Sequence, residues 1–459
     1  MTVAAVAELA GGRVVGGDPD RMVTGVSIDT RTLNDGDLFV ALPGERVDGH
    51  AFVAAAAQRG ASAVLVREDG AASAGAAAIV VGDPQTALGR LASGVREELS
   101  SWVIAITGSS GKTITKEMTA AVTRTRFRTV TAAGSYNNEI GVPLTILGAD
   151  DETQVLVVEI GARGIGHIAS LMPMVQPDVG VVLNVGTAHI GMFGSAENIA
   201  IAKREIIETL TAESVAVLNA DDPVVDAMGS HTPAVVLRFG SATRAAVRSE
   251  DIRIGEDGCA SFTLIMPDGS ASVRLPIPGE HLVSDALAAA AAGHAVGVDV
   301  ASAAEGLAAT APPAWRMQVA DAPGGWRVIN DAYNANPAST AAALKTLVQI
   351  GRGHRTWAVL GEMAELGEHS ATSHDRIGRL AVRLGVARLI AVGDETRPLL
   401  EAARFEGMTP EEATFAADGD AARAYLERSL EPGDVVLVKA SRAVGLERLA
   451  AALVGGGEA

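Results

Sequence analysis

A short apolar run, Val103-Ile104-Ala105-Ile106, leads into Thr107-Gly108-Ser109-Ser110-Gly111, then Lys112-Thr113 and a helix-like segment through Ala121. No other stretch limits the fold as strongly. The β-branched run predicts a strand, and the two glycines predict a tight loop whose backbone N–H groups turn inward. A helix starting at that point aims its positive end into the loop. Lys112 then supplies a point charge for the β- and γ-phosphates of a nucleotide, and the Thr113 hydroxyl a ligand for Mg²⁺. The general phosphate-loop pattern G-x-x-x-x-G-K-[ST] is not met, because Ile106 stands at its first glycine. The shorter form G-x-x-G-K-T is present. A glycine-rich turn that binds nothing is the plain alternative; the flanking strand and helix favour the nucleotide.

A chain of 459 residues should hold about three domains. Apolar residues make up 48% and aromatics only 3%, so its cores must rest on Ala, Val, Leu and Ile. The formal charge of −18 argues against non-specific nucleic-acid binding and against an anionic membrane surface. A basic cleft for an anionic substrate remains compatible with it. The single Cys259 excludes an internal disulfide and a cysteine-rich metal site. The first residues lack the basic flank and apolar core of a signal peptide, and no apolar run reaches the ~18–20 residues of a membrane helix. These features together give the expectation of a cytoplasmic protein without stable membrane insertion.

Patterning divides the chain into a small N-terminal α/β domain (1–98), a central domain (99–312) and a C-terminal domain (313–459). In the first, strands are expected at Val23 to Asp29, Asp37 to Ala41, Ala63 to Val66 and Ala78 to Val81, with helices at Ala51 to Arg59 and Pro84 to Leu99. In the second, Val155 to Ile160, Val179 to Asn184 and Val215 to Asn219 are apolar strands separated by helical stretches, which indicates a mainly parallel sheet. Ser261 to Pro267 and Ser270 to Pro276 flank Asp268-Gly269, a hairpin signal, and an Ala-rich helix follows over Leu282 to Ala295. Pro312-Pro313 marks the next boundary. Strands at Arg327 to Asn330, Thr356 to Leu360, Leu389 to Val392 and Asp434 to Val438 then alternate with helices, as in a Rossmann-like unit.

Several side chains fall at strand ends, where an α/β sheet places its ligands. Glu159 closes the run Val155 to Val158, a position from which a carboxylate faces a metal in phosphate-loop folds. His189 follows the next strand; a lone histidine there is structural or functional with equal weight. Lys203, in a helix starting near Ser195, reads from spacing alone as solvated. Asp221-Asp222-Pro223 reads as a turn and helix cap. Asp331 is placed to hold a ribose hydroxyl and Tyr333 to stack on a base, although the Asn-rich turn can also simply end the strand. Lys439-Ala440-Ser441-Arg442 forms a basic, hydroxyl-bearing turn suited to a carboxylate, or an ordinary helix start.

Taken in order, Thr107 to Thr113, Tyr136-Asn137-Asn138-Glu139-Ile140-Gly141-Val142-Pro143, Glu159-Ile160-Gly161-Ala162, Asn219-Ala220-Asp221-Asp222-Pro223 and Asp331 to Pro337 resemble the Mur ligases, ATP-dependent peptide ligases of bacterial cell-wall precursor synthesis. The resemblance covers nearly the whole chain. Gly361-Glu362-Met363-Ala364-Glu365-Leu366-Gly367 and Val438-Lys439-Ala440-Ser441-Arg442 are similar to the branch of the family that takes UDP-N-acetylmuramoyl-tripeptide and D-alanyl-D-alanine. The Asp-Asn-Pro-Arg string usual in the diamino-acid-adding branch is absent.

The resemblance implies a cytoplasmic, ADP-forming ligase using ATP and Mg²⁺, acting as a monomer in peptidoglycan synthesis. It implies phosphate and nucleotide binding by Gly108, Ser109, Ser110, Gly111, Lys112, Thr113, Asn138, Arg316, Asp331 and Tyr333. It implies metal ligation by Thr113, Glu159 and Lys203, the last as a carbamate, and a metal- or substrate-side role for His189. Ser27, Asp29, Thr30, Arg31, Asp48 and His50 are matched to recognition of the UDP end, and Asn334, Asn336, Ser441 and Arg442 to the remaining substrate contacts. The chain departs from relatives in two places. Arg163-Gly164 follows the Glu159 element where many have Asn-His, the nearest histidine being His167. Leu282 and Asp285 stand where relatives often place two asparagines near adenine. A diamino-acid-adding ligase, a folylpolyglutamate-synthase-like ligase and a non-catalytic nucleotide-binding module are the competing readings.

Overall fold

A computed structural model describes the chain apart from residues 45–46, 68–75, 133, 187–189 and 456–459. It is a three-domain α/β protein with mixed, mainly parallel sheets. The chain divides into two compact units, one of Met1–Ala105, Phe127–Gly161 and Ile168–Val179, the other of Ile106–Arg126, Ala162–His167 and Gly180–Ala459.

The first unit carries the N-terminal sheet, built from β1 (Arg13–Val15), β2 (Gly25–Ser27), β3 (Asp37–Val40), β4 (Ala63–Val66) and β5 (Ala77–Val80). Their order is β1-β5-β4-β3-β2, parallel except for β1. Alternate side chains feed two cores. Leu38, Val40, Leu65 and Ile79 pack under the helix Pro84–Glu98, and Phe39, Val64 and Val66 under Val53–Gln58. The expected helix from Ala51 begins instead as a 3₁₀ turn, Gly49–Phe52, capped by the Asp48 carboxylate, and becomes α-helical at Val53. The same unit holds most of β6 (Trp102–Thr107), with β7 (Thr129–Thr131) and β8 (Val155–Glu159), in the order β6-β8-β7.

The second unit continues with β9 (Val179–Val182), β10 (Val215–Asn219), β11 (Val235–Gly240), β12 (Val247–Ile254), β13 (Cys259–Met266) and β14 (Gly269–Pro278), adjacent in that order. β10, β11 and β12 are parallel, and β12, β13 and β14 form an antiparallel meander. The Asp268-Gly269 turn therefore makes the expected hairpin. Three helices of this unit carry side chains of interest: α1 (Lys112–Arg124), α2 (Ala196–Glu208) and α3 (Leu282–Ala295).

The C-terminal sheet consists of β15 (Gln318–Asp321), β16 (Arg327–Asn330), β17 (Thr356–Leu360), β18 (Arg388–Val392), β19 (Ala413–Ala416) and β20 (Val435–Lys439). The order is β15-β16-β20-β17-β18-β19, with only the edge strand β15 antiparallel. α4 (Pro337–Ile350) follows β16 and starts with a capping box between Asn336 and Ser339. Among the described residues no helix is long and apolar enough to cross a membrane.

Candidate active site

β6 is buried along Val103 to Ile106 and delivers the chain to the loop 108–111. α1 begins at Lys112 with Gly111 as its N-cap, at φ +81 and without a side-chain cap. A helix start without a side-chain cap leaves its positive end to a ligand. Gly111 is required twice. Its φ is left-handed, and a Cβ would run into the Asp285 carboxylate. Asn184, just past β9, organises the loop. Its Oδ1 accepts the N–H groups of Ser109 and Ser110 at 3.1 and 3.0 Å, and its Nδ2 donates to the Ser110 carbonyl. The Ser109 hydroxyl accepts the Gly186 N–H. Lys112 folds back so that its ammonium donates to the Gly108 carbonyl at 2.9 Å.

The C-terminal domain sends a guanidinium to this loop. Arg316 donates to the Thr113 hydroxyl at 2.9 Å. Its Cζ lies 4.2 Å from the centre of the Tyr333 ring, which also packs on Trp315 at 6.5 Å between centroids. Tyr333 is therefore already engaged by two neighbours, and a stacking base would have to displace one. Asp331 is likewise engaged. Its Oδ2 pairs with the Lys439 ammonium at 2.5 Å and its Oδ1 accepts the Met317 N–H, so a ribose hydroxyl would compete with these partners. Lys439 also donates to the Asn334 carbonyl, holding the turn after β16. Asn334 is exposed. Asn336 caps α4, and Ser441 is buried with its hydroxyl accepting the Ala364 N–H, so both side chains serve local structure. Arg442 is half-exposed, pairs with Glu447 and lies 4.2 Å from the Trp315 ring centre.

Lys203 overturns the reading from spacing. It is buried on α2, not solvated. Burial, reinforced by the Lys112 charge, holds its ammonium well below the usual lysine range. Its neighbour Glu205 accepts the Gly166 N–H. Asp285 on α3 is buried against the loop and accepts the Thr115 hydroxyl at 3.2 Å. Burial pushes its carboxyl up to about 7, opposed by that hydrogen bond and by Arg316. Burial drives His281 down to about 4, a neutral imidazole in the field of Asp331 and Lys439. Asn184 and Asp285 carry this geometry without having been singled out as site residues, and Lys439, read only as part of the basic turn with Arg442, holds Asp331 instead. The signals were there: a lone acid in an alanine-rich helix, and polar residues directly after apolar strands.

The first unit holds most of the remaining positions. Glu159 ends β8 buried and accepts the Asn137 amide at 2.7 Å. The Asn138 side chain accepts the Gly141 N–H and so opens the helix Gly141–Ile146. Ser27 and Asp29 shape one turn, where Arg31 holds the Asp29 carboxyl down at about 2. The Thr30 carbonyl accepts Arg59. His50 bridges Asp48, at 2.7 Å from Nδ1, and the Arg67 N–H, received at Nε2. It ties the 3₁₀ turn to the end of β4. His189 lies outside the described residues. Asp222 caps the helix Pro223–Ala227 as expected, and also accepts the Val185 N–H.

In the second unit, a helix N-terminus, Lys112 and Arg316 thus converge on one loop, a set fitted to a polyphosphate. Among the described residues no group of three or more His, Cys, Asp or Glu side chains is placed to hold a metal. A magnesium ion carried in on a nucleotide needs only one or two protein oxygens, and the Thr113 hydroxyl at the start of α1 is an oxygen beside this loop.

The chain is similar to known proteins over nearly its whole length. Profiles described as "Mur ligase family, catalytic domain", "Mur ligase middle domain" and "Mur ligase, glutamate ligase domain" match residues 22–96, 106–293 and 315–442. The UDP-N-acetylmuramoyl-tripeptide–D-alanyl-D-alanine ligase of Mycobacterium tuberculosis is 43% identical, covering 99% of this chain and 98% of that protein. The Escherichia coli enzyme of the same name is 35% identical over 99% and 98%. A crystal structure of MurF from Acinetobacter baumannii superposes with a TM-score of 0.86 at 32% identity, covering 99% and 98% of the two chains. MurF ligase from Thermotoga maritima in complex with ADP gives 0.80 at 28% identity, over 95% and 98%.

Proposed function

The chain belongs to the Mur ligase family, and on that premise we propose that it joins D-alanyl-D-alanine to UDP-N-acetylmuramoyl-tripeptide at the expense of ATP. The observation that carries this is the likeness, over nearly full length, to ligases of that name. The converging Lys112, Arg316 and α1 N-terminus supply the means.

In this reading the terminal carboxylate of the tripeptide attacks the γ-phosphorus of ATP, giving an acyl phosphate and ADP. The amine of D-alanyl-D-alanine then attacks the acyl carbon, and inorganic phosphate leaves. Lys112 and the N-terminus of α1 hold the phosphates, and Arg316 moves from the Thr113 hydroxyl onto them. Mg²⁺, when bound, offsets the charge crowding between carboxylate and triphosphate. Thr113, Glu159 and Lys203 are the residues proposed to hold it. A lysine amine in its neutral form adds carbon dioxide, releasing a proton and leaving a carbamate with two oxygen ligands, and burial shifts Lys203 toward that form. Asn138 and His189 are assigned to the nucleotide and reacting groups by resemblance. Ser27, Asp29, Thr30, Arg31, Asp48 and His50 belong to the region proposed for the UDP end, within 1–98. Residues 99–312 would bind ATP, and 313–459 would complete the site, with Asp331, Tyr333, Asn334, Asn336, Ser441 and Arg442 near ribose and acceptor. The working protein is proposed to be cytoplasmic and monomeric.

Phosphate release from ATP and UDP-N-acetylmuramoyl-tripeptide, measured across a set of amine acceptors, tests the proposal. Release with D-alanyl-D-alanine and none with diamino acids or glutamate is expected. Release driven by a diamino acid added to the dipeptide precursor would reassign the chain to the sister branch. No turnover with any acceptor would leave a binding module.

A further inference from the structure

Arg316 sits in a segment whose backbone is bent around it. Trp315 and Met317, the residues on either side, have φ of +56 and +49, left-handed conformations that side chains larger than glycine seldom adopt. Such strain persists only where the surroundings hold it, and here they are identifiable. The Trp315 N–H donates to the Gln318 side chain, the Trp315 carbonyl accepts the Tyr333 N–H, and the Met317 N–H donates to Asp331. The result is a run of four stacked groups. Arg442 lies 4.2 Å from the Trp315 ring centre, Trp315 packs on Tyr333 with planes 27° apart, and Arg316 lies 4.2 Å from the Tyr333 ring centre. At one end of the run is the phosphate-loop Thr113, hydrogen-bonded to Arg316. At the other is the half-exposed Arg442 guanidinium.

We propose that Trp315 is a positioning residue that sets two arginines at once: Arg316 against the nucleotide phosphates, through Tyr333, and Arg442 against the carboxylate of the acceptor. The second half rests on the acceptor reading of Arg442 given above. Long arginine side chains lose rotamer freedom when a ligand fixes them. An indole under Arg442 and a phenol ring under Arg316 restrict both side chains beforehand, and a guanidinium over an aromatic face keeps its in-plane N–H groups for an anion. The left-handed backbone at Trp315 delivers the indole to this place. A purely structural tryptophan would have no need of a strained backbone or of a cation at the solvent end.

The test uses the full-length chain with three substitutions, Trp315→Phe, Trp315→Leu and Trp315→Gly, and with Arg442→Ala. Trp315→Phe keeps a ring and should hold the KM values for ATP and for D-alanyl-D-alanine within about threefold. Trp315→Leu should raise both by about 5- to 20-fold, the range expected when Arg442 loses its indole and the Tyr333 ring under Arg316 loses the neighbour that holds it. Trp315→Gly fits the backbone at φ +56, so it should melt close to the parent while showing the same KM defects. That combination separates positioning from stability. In the Arg442→Ala background, Trp315→Leu should no longer change the acceptor KM but should still raise that for ATP. Unchanged KM values in folded Trp315→Leu or Trp315→Gly would overturn the proposal, as would full additivity with Arg442→Ala in the acceptor KM. If the parent ligates no D-alanyl-D-alanine, the functional reading fails. Nucleotide titration of the same variants still decides the Arg316 half, with weaker ATP binding in Trp315→Leu supporting it and unaltered binding refuting it.

Discussion

Replacing Lys439 with Met leaves the Asp331 carboxylate buried without its cation. The two side chains are 2% and 12% exposed and meet at 2.5 Å. Lys439 also satisfies the Asn334 carbonyl at 2.9 Å. Methionine keeps most of the volume, so the packing of β20 against β16 is largely retained and the loss is electrostatic. Breaking one side of a buried pair costs about 3–5 kcal/mol, because the partner is left uncompensated. A unit of 150–250 residues shifts its melting point by about 2–4 °C per kcal/mol, so a fall of roughly 6–20 °C is expected. Scanning calorimetry of the ligand-free chain is the assay. The double variant Lys439→Met, Asp331→Asn removes both charges and should recover more than half of the loss. A single variant within about 1 kcal/mol of the parent, or a double no better than the single, would refute the view that this pair holds the turn after β16.

Three further outcomes are expected. Lys112→Ala should lower kcat by about 10²–10³-fold, the range for removing one electrostatic stabiliser of a reacting group, with little change in melting because the side chain lies at the loop, donating to the Gly108 carbonyl, rather than in a core; steady-state kinetics with a melting curve checks both. Lys203→Ala should lose most activity and regain part of it with added short carboxylates that replace the carbamate, read by phosphate release; full activity without them would contradict the carbamate. Asp285, at about 7 when folded and 3.8 when not, keeps its proton in the native state where the unfolded chain releases it. Stability from this group is therefore present below pH ~4 and declines as pH rises toward 7. Asp285→Asn should flatten that decline, seen as a smaller fall in melting temperature across pH 4–7 than in the parent.

The elements legible from sequence were those whose pattern is local. α1 begins at Lys112 and α3 spans Leu282–Ala295 as read, because a glycine boundary and an alanine-rich run announce themselves. β4, β10, β16 and β17 also fall where their apolar runs placed them. Most of the strands that escaped are short or polar, the six-residue apolar β11 being the exception. β7 has three residues, β12 reads Val-Arg-Ser-Glu-Asp-Ile-Arg-Ile, and β15 is an edge strand defined by its pairing with β16. Their existence depends on a partner strand distant in sequence rather than on their own periodicity. Lys203 shows the same limit at the site. It lies on the buried stripe with Ile199 and Ile206, four residues after one and three before the other, a placement the solvated reading missed because helical lysines usually face water. The strain around Arg316 had no one-dimensional signature, and Asp285, though the lone acid of its alanine-rich helix, meets Gly111 only where segments far apart in sequence come together.

The central claim is that the γ-phosphoryl group passes to the tripeptide carboxylate before the new amide forms. UDP-N-acetylmuramoyl-tripeptide labelled with ¹⁸O in its terminal carboxylate, incubated with ATP, Mg²⁺ and D-alanyl-D-alanine, tests it directly by mass spectrometry. The account predicts one ¹⁸O in the released inorganic phosphate, ADP as the nucleotide product, and a peptide longer by D-alanyl-D-alanine. Unlabelled phosphate, or AMP in place of ADP, would contradict it.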